Sequence, residues 1–263
     1  MRTPFLTANW RHLAMANYEI DPAVLRPLVP AGTELDSWSG KALISVVGFL
    51  FTDTRVFEIP LPFSSDFEEV NLRFYVRRLE GREWRRGVVF IREIVPSQAI
   101  ALAARWLYNE PYLALPMHHT IDIPAPSESR EGKVEYAWRW NGQWNRLSAR
   151  TSGSAYLIVP GSEEEFIAEH YWGYTRQEDG GTLEYEVAHP RWRIRRAEGS
   201  LDCDVASLYG PQFADALQKP TSVFVAEGSE VTVFRGARLQ DTQPRTAVRR
   251  DPRDASSRES QRP

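Results

Sequence analysis

The stretch LYNEPYLALPMHH, residues 107–119, sets two tyrosines, a glutamate and the pair His118–His119 directly after a helix-like run. Tyr108 and Tyr112 offer phenol hydrogens to a carbonyl or carboxylate oxygen, and a glutamate or histidine can carry protons. A second chemistry-bearing stretch is FEEVNLRFYVRR, residues 67–78. On a strand, successive side chains take opposite faces, so Glu69, Asn71, Arg73, Tyr75 and Arg77 share one face and Val70, Leu72, Phe74 and Val76 the other. Such a polar face is either solvated or, inside a closed barrel, the wall of a cavity for a carboxylate or carbonyl ligand. Burial of Glu69 beside Glu68 would raise its pKa toward general-acid work, and Arg73 would oppose that rise.

Other groupings carry weaker signals. Neighbouring histidines on an extended chain point to opposite faces, so His118 and His119 cannot both bind one ion. His12, His170 and His189 lack ligand spacing, and no metal site is expected. The chain has no P-loop, dinucleotide fingerprint, HExxH, CxxC or GxSxG, so no cofactor is expected either. Tyr136, Trp138 and Trp140 share a strand face, as a stacking platform for a sugar or base or as ordinary cross-strand packing. Arg191, Arg193 and Arg195 alternate with Trp192 and Ile194, which reads as a solvated arginine face over a packed one or as an anion-binding stripe.

The elements that must position these groups are mostly strands. LAMANYEI, ALISVVGFLF, NLRFYVRR and GVVFIREIV are short, rich in β-branched and aromatic residues, and broken by Pro or Gly. Asn141-Gly142 suits a two-residue type I′ hairpin turn, TLEYEVAHPRWRIRRA alternates well, and SVFVAEGSEVTVF reads as a hairpin through Glu227-Gly228-Ser229. Helices are expected at 21–29, at 97–109 after the Pro96-Ser97 cap signal, at 162–172 with a Ser162/Glu165 capping box, and at 211–218. The expected class is α+β, mainly β, with the sheet curling toward a barrel.

Composition narrows the partners. A chain of 263 residues that is 42% hydrophobic can bury a large core, and its net charge of −3 argues against a nucleic-acid binder. Lys41, Lys133 and Lys219 are the only lysines. The single Cys203 excludes an internal disulfide framework and fits the reducing cytoplasm. The N-terminus has no signal-like apolar run, and ALISVVGFLF is far short of the roughly 20 residues that span a bilayer, so no membrane partner is expected. Residues 237–263 are rich in Arg, Pro and Ser and poor in large apolar residues, which predicts a disordered tail after one domain over residues 1–236.

YEIDPAVLRPLVPAGTELD, FEEVNLRFYV, RGVVFIREI, ARWLYNEPY, AEHYWGY, AHPRWRI and SVFVAEGSEV occur in an order that resembles the YqjF-like domain-of-unknown-function family of bacteria. That family resembles acetoacetate decarboxylase in fold, which implies a cone-shaped antiparallel barrel with a few flanking helices and an internal pocket. YEIDPAVLRPLVP (18–30) follows the decarboxylase form YRTDxxALRxVVP, which implies that its active-site arginine falls on Arg11 and its catalytic glutamate near Glu69. AIALAARWLYNEPYL (99–113) runs alongside AIAxxRELxxYPKK, with Tyr112 and Leu113 where the lysines would stand. An imine needs a primary amine that is unprotonated near neutral pH, and a phenol cannot supply one.

The resemblance therefore implies a container for a small oxo- or carboxylate-bearing molecule, with acid–base or hydration chemistry and no imine. Arg11 would orient the ligand, Glu69 would move protons and Tyr112 would polarise a carbonyl. Asn71, Arg73, Tyr75, Tyr108 and His118 would surround them. A non-catalytic binding or sensing module would use the same cavity, and a homo-oligomer is compatible with either. A carbohydrate or protein-contact module on the Trp138/Trp140 hairpin would require both indoles in solvent.

Overall fold

Strands that are apolar on both faces set the architecture. The computed structural model describes residues 3–60, 66–102 and 109–239. Within them the chain runs β1 (Pro4–Ile20), α1 (Pro22–Leu25), β2 (Glu34–Leu35), β3 (Ala42–Val56), β4 (Ile59–Pro60), β5 (Phe67–Glu80), β6 (Glu83–Val95) and β7 (Tyr112–Ala114). It continues with β8 (Met117–Asp122), β9 (Gly132–Trp140), β10 (Gln143–Leu157), α2 (Glu163–Ala168), β11 (Trp172–Arg176) and β12 (Thr182–Ala188). The last elements are β13 (Arg193–Asp202), α3 (Val205–Leu208), β14 (Ser222–Phe234) and β15 (Ala237–Arg238).

The hydrogen-bonded path β12-β11-β6-β5-β3-β1-β14 closes on itself where β14 pairs with β12. Only Val187↔Val233 and Ala188↔Thr232 make that closure, and β6 meets β11 in parallel, so the ring is less even than a regular barrel. The other half of β14 pairs with β13, which leads outward through β10 and β9 to the edge strand β8. The architecture is thus mainly β with a few short helices, as expected.

This branching explains why β1, β3 and β5 carry apolar residues on both faces. One face packs outward: Ala14, Ala16, Ile44, Val46, Leu72 and Phe74 meet Tyr136, Trp138, Leu147 and Ala149 of the β9–β10 hairpin. The other face, with Met15, Val47, Phe49 and Tyr75, joins Phe166 of α2 and Trp192 in a second core inside the ring. A strand buried on both sides reads as a continuous apolar run, as ALISVVGFLF does.

Several local expectations change. The Asn141-Gly142 turn links β9 to β10, with φ values of 48° and 79° that suit type I′. The Glu227-Gly228-Ser229 hairpin does not form. There β14 continues straight past β1, with Arg11↔Gly228 and Leu13↔Ala226 in register. Gly228 takes φ +79°, and a Cβ on it would stand 1.9 Å from the Trp10 carbonyl oxygen, so this glycine lets two backbones approach instead of reversing the chain. His189-Pro190 divides TLEYEVAHPRWRIRRA into β12 and β13. Residues 211–218 form two 3-10 turns, Pro211–Phe213 and Ala216–Gln218, in place of a helix.

At α2 the Ser162 hydroxyl accepts from the Glu165 amide, while the Glu165 carboxylate accepts from Gly161, one residue before the expected position. Residues 98–102 are helical, and 103–108, with Tyr108, lie outside the described residues. The first residues of the expected tail belong to the sheet: β15 pairs with Leu183 and Glu184 of β12, and Leu239 donates to the Thr182 carbonyl. Residues 240–263 lie outside the described residues.

The hairpin aromatics pack rather than present a platform. Trp138 and Tyr136 are fully buried, and the half-buried Trp140 donates its indole N–H to Ser207. This removes the contact-module reading that needed both indoles in solvent. Arg191 and Arg193 are exposed over the buried Trp192 and Ile194, as the solvated-face reading expects, and Arg195 departs from it. It is 1% exposed, and its guanidinium donates to the carbonyl oxygens of Pro124, Ala125, Glu128 and Gly153, tying the β8–β9 loop and β10 to β13. Removing that fork takes four hydrogen bonds from partly buried carbonyls and leaves a gap at a buried side chain, on the order of 3 kcal/mol. Since 1 kcal/mol shifts Tm by roughly 2–4 °C at this size, Arg195→Met is expected to melt about 6–12 °C below wild type in thermal denaturation. Arg195→Lys should recover less than half, because an ammonium lacks the planar fork. A Tm within about 2 °C of wild type for Arg195→Met would remove this role.

Candidate functional site: an acid-lined cavity inside the ring

The interior face of β5 reads Phe67, Glu69, Asn71, Arg73, and it faces a cavity of about 360 Å³. That volume lies in the range of small-molecule sites. Glu69 is 3% exposed; its Oε1 accepts from Asn71 Nδ2 at 2.9 Å and its Oε2 from the Tyr112 hydroxyl at 3.1 Å. Tyr112 reaches this place because β7 runs parallel beside β6, with Tyr112 opposite Glu93. Glu93 in turn stands opposite Asn71 across β5–β6. The polar face of FEEVNLRFYV is therefore turned inward.

Two more acids share the cavity wall. Glu93 is buried, with Oε2 lacking a hydrogen-bond partner among the described residues. Glu110, just before β7, accepts on Oε1 from the Thr175 and Tyr185 hydroxyls of β11 and β12. Burial raises all three carboxyls. Glu69 and Glu110 are pushed up to about 7, and Glu93 goes further because its neighbours Glu110 and Glu69 add like charge. Burial and the flanking carboxylates also push the Tyr112 phenol well above its ordinary value, so it remains a donor.

His170 also lines the cavity, with its Nε2 3.6 Å from Asp36. Burial lowers His170 to about 4, whereas Arg86 and His170 hold Asp36 at about 2 against the upward push of its own burial. Burial likewise lowers His189 to about 4. Both imidazoles are thus neutral near pH 7, and Arg73 is the one Arg or Lys among the described lining residues. Its Nη2 donates to the Ile167 carbonyl at 3.2 Å, and its Nε has no partner among the described residues. The side chain therefore keeps part of its fork for a carboxylate. No group of His, Cys, Asp and Glu among the described residues is placed to hold a metal ion.

Other expected site residues lie elsewhere. Arg11 is exposed, hydrogen-bonded to Asn9, and does not line the cavity. The cause is a bulge: the β1–β3 register shifts between Arg11 and Ala14, and His12 takes φ 55°. Trp10 and Leu13 face the cavity on either side of that irregularity. Tyr75 is buried beyond the cavity end, its hydroxyl 2.5 Å from Ser45 Oγ and its ring packed on Phe166 and His170. His118 is exposed on the edge strand β8 against Trp144. All three lysines are exposed and none lines the cavity. Glu110 is the glutamate of the LYNEPY stretch but received no site role from the sequence, and Glu93 was not singled out at all. An acid inside the apolar strand GVVFIREIV is the one signal that could have pointed to Glu93.

A model of a family of uncharacterized conserved proteins, DUF2071, matches residues 7–230. The chain belongs to that family. Uncharacterized protein YqjF of Bacillus subtilis (strain 168) is 27% identical over 201 residues, covering 76% of this chain and 78% of that one.

Solved structures similar to this DUF2071 member share its fold. An acetoacetate decarboxylase from Legionella pneumophila matches with a TM-score of 0.60 at 15% identity, over 92% of this chain and 89% of that one. The enduracididine biosynthesis enzyme MppR, complexed with pyruvate, matches with a TM-score of 0.62 at 15% identity, over 92% of each chain. An acetoacetate decarboxylase-like enzyme from Sphingomonas wittichii RW1 gives 0.60 at 16% identity, over 90% of this chain and 94% of that one. At such identities the likeness establishes the fold alone. No helix among the described residues is long and apolar enough to cross a membrane.

The raised carboxyls bear on stability. A carboxyl near 7 when folded and 4.5 when unfolded binds more protons in the native state between those values. Its contribution is therefore most favourable at acid pH and is lost as pH rises through about 7. Glu110→Gln removes the ionisable group and keeps the shape. It is expected to raise stability at pH 8 by on the order of 2 kcal/mol and to change little at pH 5. Melting curves across pH 5–9 check this; parallel profiles for variant and wild type would contradict it.

Proposed function

We propose that this cavity binds a small molecule bearing an oxo or carboxylate group and carries out proton transfer on it without an imine. The observation that carries the reading is the Glu69–Tyr112 pair, a carboxyl near neutrality hydrogen-bonded to a phenol inside an apolar enclosure that also holds Arg73. A base poised near the operating pH is suited to proton transfer. With a ligand carboxylate on Arg73, Tyr112 would turn its hydroxyl from Glu69 to the ligand's carbonyl oxygen. Glu69 would then take a proton from the carbon beside that carbonyl, leaving an enolate held by the phenol, and would return it. Asn71 would hold Glu69 in place.

Exposure of Lys41, Lys133 and Lys219 supports a route without an imine, since that chemistry needs a desolvated amine. The MppR complex with pyruvate supports the ligand class by analogy of fold. The lone Cys203 supports residence in a reducing cytoplasm.

The test is proton exchange in heavy water, followed by NMR, with pyruvate as the probe. Wild type is expected to speed deuterium incorporation at the methyl carbon. Glu69→Gln should slow it by about 100-fold or more and Tyr112→Phe by roughly tenfold to 100-fold, with pyruvate binding retained. Arg73→Ala should weaken binding itself. Borohydride reduction with pyruvate present should leave the chain's mass unchanged, and an added mass would overturn the imine-free route. Bound pyruvate that exchanges no faster than free pyruvate would reduce the site to a binding module.

A further inference from the structure

The mouth-to-floor layout of the cavity is uneven. Along the interior face of β5 the polar run ends at Phe67, one strand pleat from Glu69. Beyond it lies a chamber of aromatic side chains drawn from β1, β3 and β5. Phe51 stacks on Phe67 with centroids 4.6 Å apart and planes 12° apart; Trp10 leans on Phe49 at 5.1 Å and on Phe51 at 5.9 Å. All four line the same cavity as Glu69. An apolar void of roughly 150 Å³ accepts a benzene-sized ring, so about 360 Å³ leaves room for such a ring and a carboxylate-bearing head together.

Two polar atoms of residues that line the cavity, Trp10 Nε1 and Thr54 Oγ1, are buried and have no hydrogen-bond partner among the described residues. Buried donors of this kind are ordinarily satisfied, by protein, water or ligand. An indole N–H only donates, whereas a threonine hydroxyl both donates and accepts. A pyruvate-sized molecule on Arg73 and Glu69 would leave both atoms unmet and the chamber unfilled.

We infer that the chamber is a subsite for an aromatic ring carrying a hydroxyl or other acceptor, so that the ligand is an aryl-substituted oxo acid and Trp10 and Thr54 set its specificity. This rests on the reading of the polar end as an oxo-acid site. Stacked rings offer flat faces that favour an aromatic guest over a branched alkyl one. The indole N–H rewards an acceptor at the far end of that guest, and a site built to bond such a group discriminates against analogues without it.

Calorimetric titration of the full chain with pyruvate, 4-methyl-2-oxopentanoate, phenylpyruvate, 4-hydroxyphenylpyruvate and 4-methylphenol separates the outcomes. The two aryl oxo acids are expected to bind at least about tenfold tighter than pyruvate, with the hydroxylated one tighter still. Trp10→Phe should erase the hydroxyl preference and leave phenylpyruvate binding intact; Thr54→Val provides the same readout should Trp10→Phe not fold. Equal affinity for pyruvate and the aryl acids would overturn the subsite and leave the oxo-acid reading standing. Binding of 4-methylphenol with no affinity for any oxo acid would keep the chamber and sink the reading of the polar end. An unchanged hydroxyl preference in both variants would overturn the role of Trp10 and Thr54.

Discussion

Keeping three carboxyl groups away from water is the constraint on which this interior turns. Glu69, Glu93 and Glu110 are each 5% exposed or less. An unpaired carboxylate in such surroundings would be very costly, and a neutral or hydrogen-bonded one is tolerable. The donors come from separate parts of the chain: Asn71 from β5, Tyr112 from β7, Thr175 from β11 and Tyr185 from β12. No single element could supply them. Strands β5, β7, β11 and β12 must assemble about β6 in this register before Glu69 and Glu110 are satisfied, so polar satisfaction and sheet topology are one requirement.

That requirement accounts for the irregularities of the sheet. An evenly antiparallel barrel would not set β7 and β11 beside β6 in parallel. The parallel β7 is what brings Tyr112 level with Glu93, and the parallel β11 is what brings Thr175 to the Glu110 carboxyl. Charge balance follows from the same enclosure. With His170 and His189 neutral, Arg73 faces the acids as the one permanent cation among the described lining residues. An added negative group on a ligand would meet that guanidinium and the protons that burial keeps on the carboxyls.

Legibility in the sequence divides along the same line. Alternation in FEEVNLRFYV exposed the inward polar face because β5 keeps its period from Phe67 through Arg73, and the Asn141-Gly142 turn was readable because its chemistry is local. Arg11 was placed by its distance from the decarboxylase-like stretch at 18–30, a count that takes no account of the bulge at His12. The same bulge put Trp10 inside, where spacing alone gave no reason to expect it. Tyr75 kept the right parity, but α2 seals that end of the strand with Phe166, so parity placed it in a core instead of a cavity. Arg195 looked like one tooth of a solvated stripe because nothing local says that four distant carbonyls will converge on it. Glu110 gains its meaning only from Thr175 and Tyr185, more than sixty residues away.

Two glycines set how closely β6 and β11 approach. β6 and β11 touch through Trp172↔Gly87 and Gly173↔Val88. A Cβ on Gly87 would lie 2.5 Å from the Tyr174 ring and 2.6 Å from the Trp172 carbonyl oxygen. One on Gly173 would lie 2.1 Å from Tyr185 Cζ and 2.4 Å from its hydroxyl. That hydroxyl is one of the two donors on Glu110, and the Tyr174 hydroxyl bonds Glu184, which also holds Arg78 and Arg85. The glycines in RGVVF and HYWGY are therefore the spaces into which two tyrosines must fit. Without them the parallel contact could not come so close, and the acid at the cavity wall would lose the group that makes its burial tolerable.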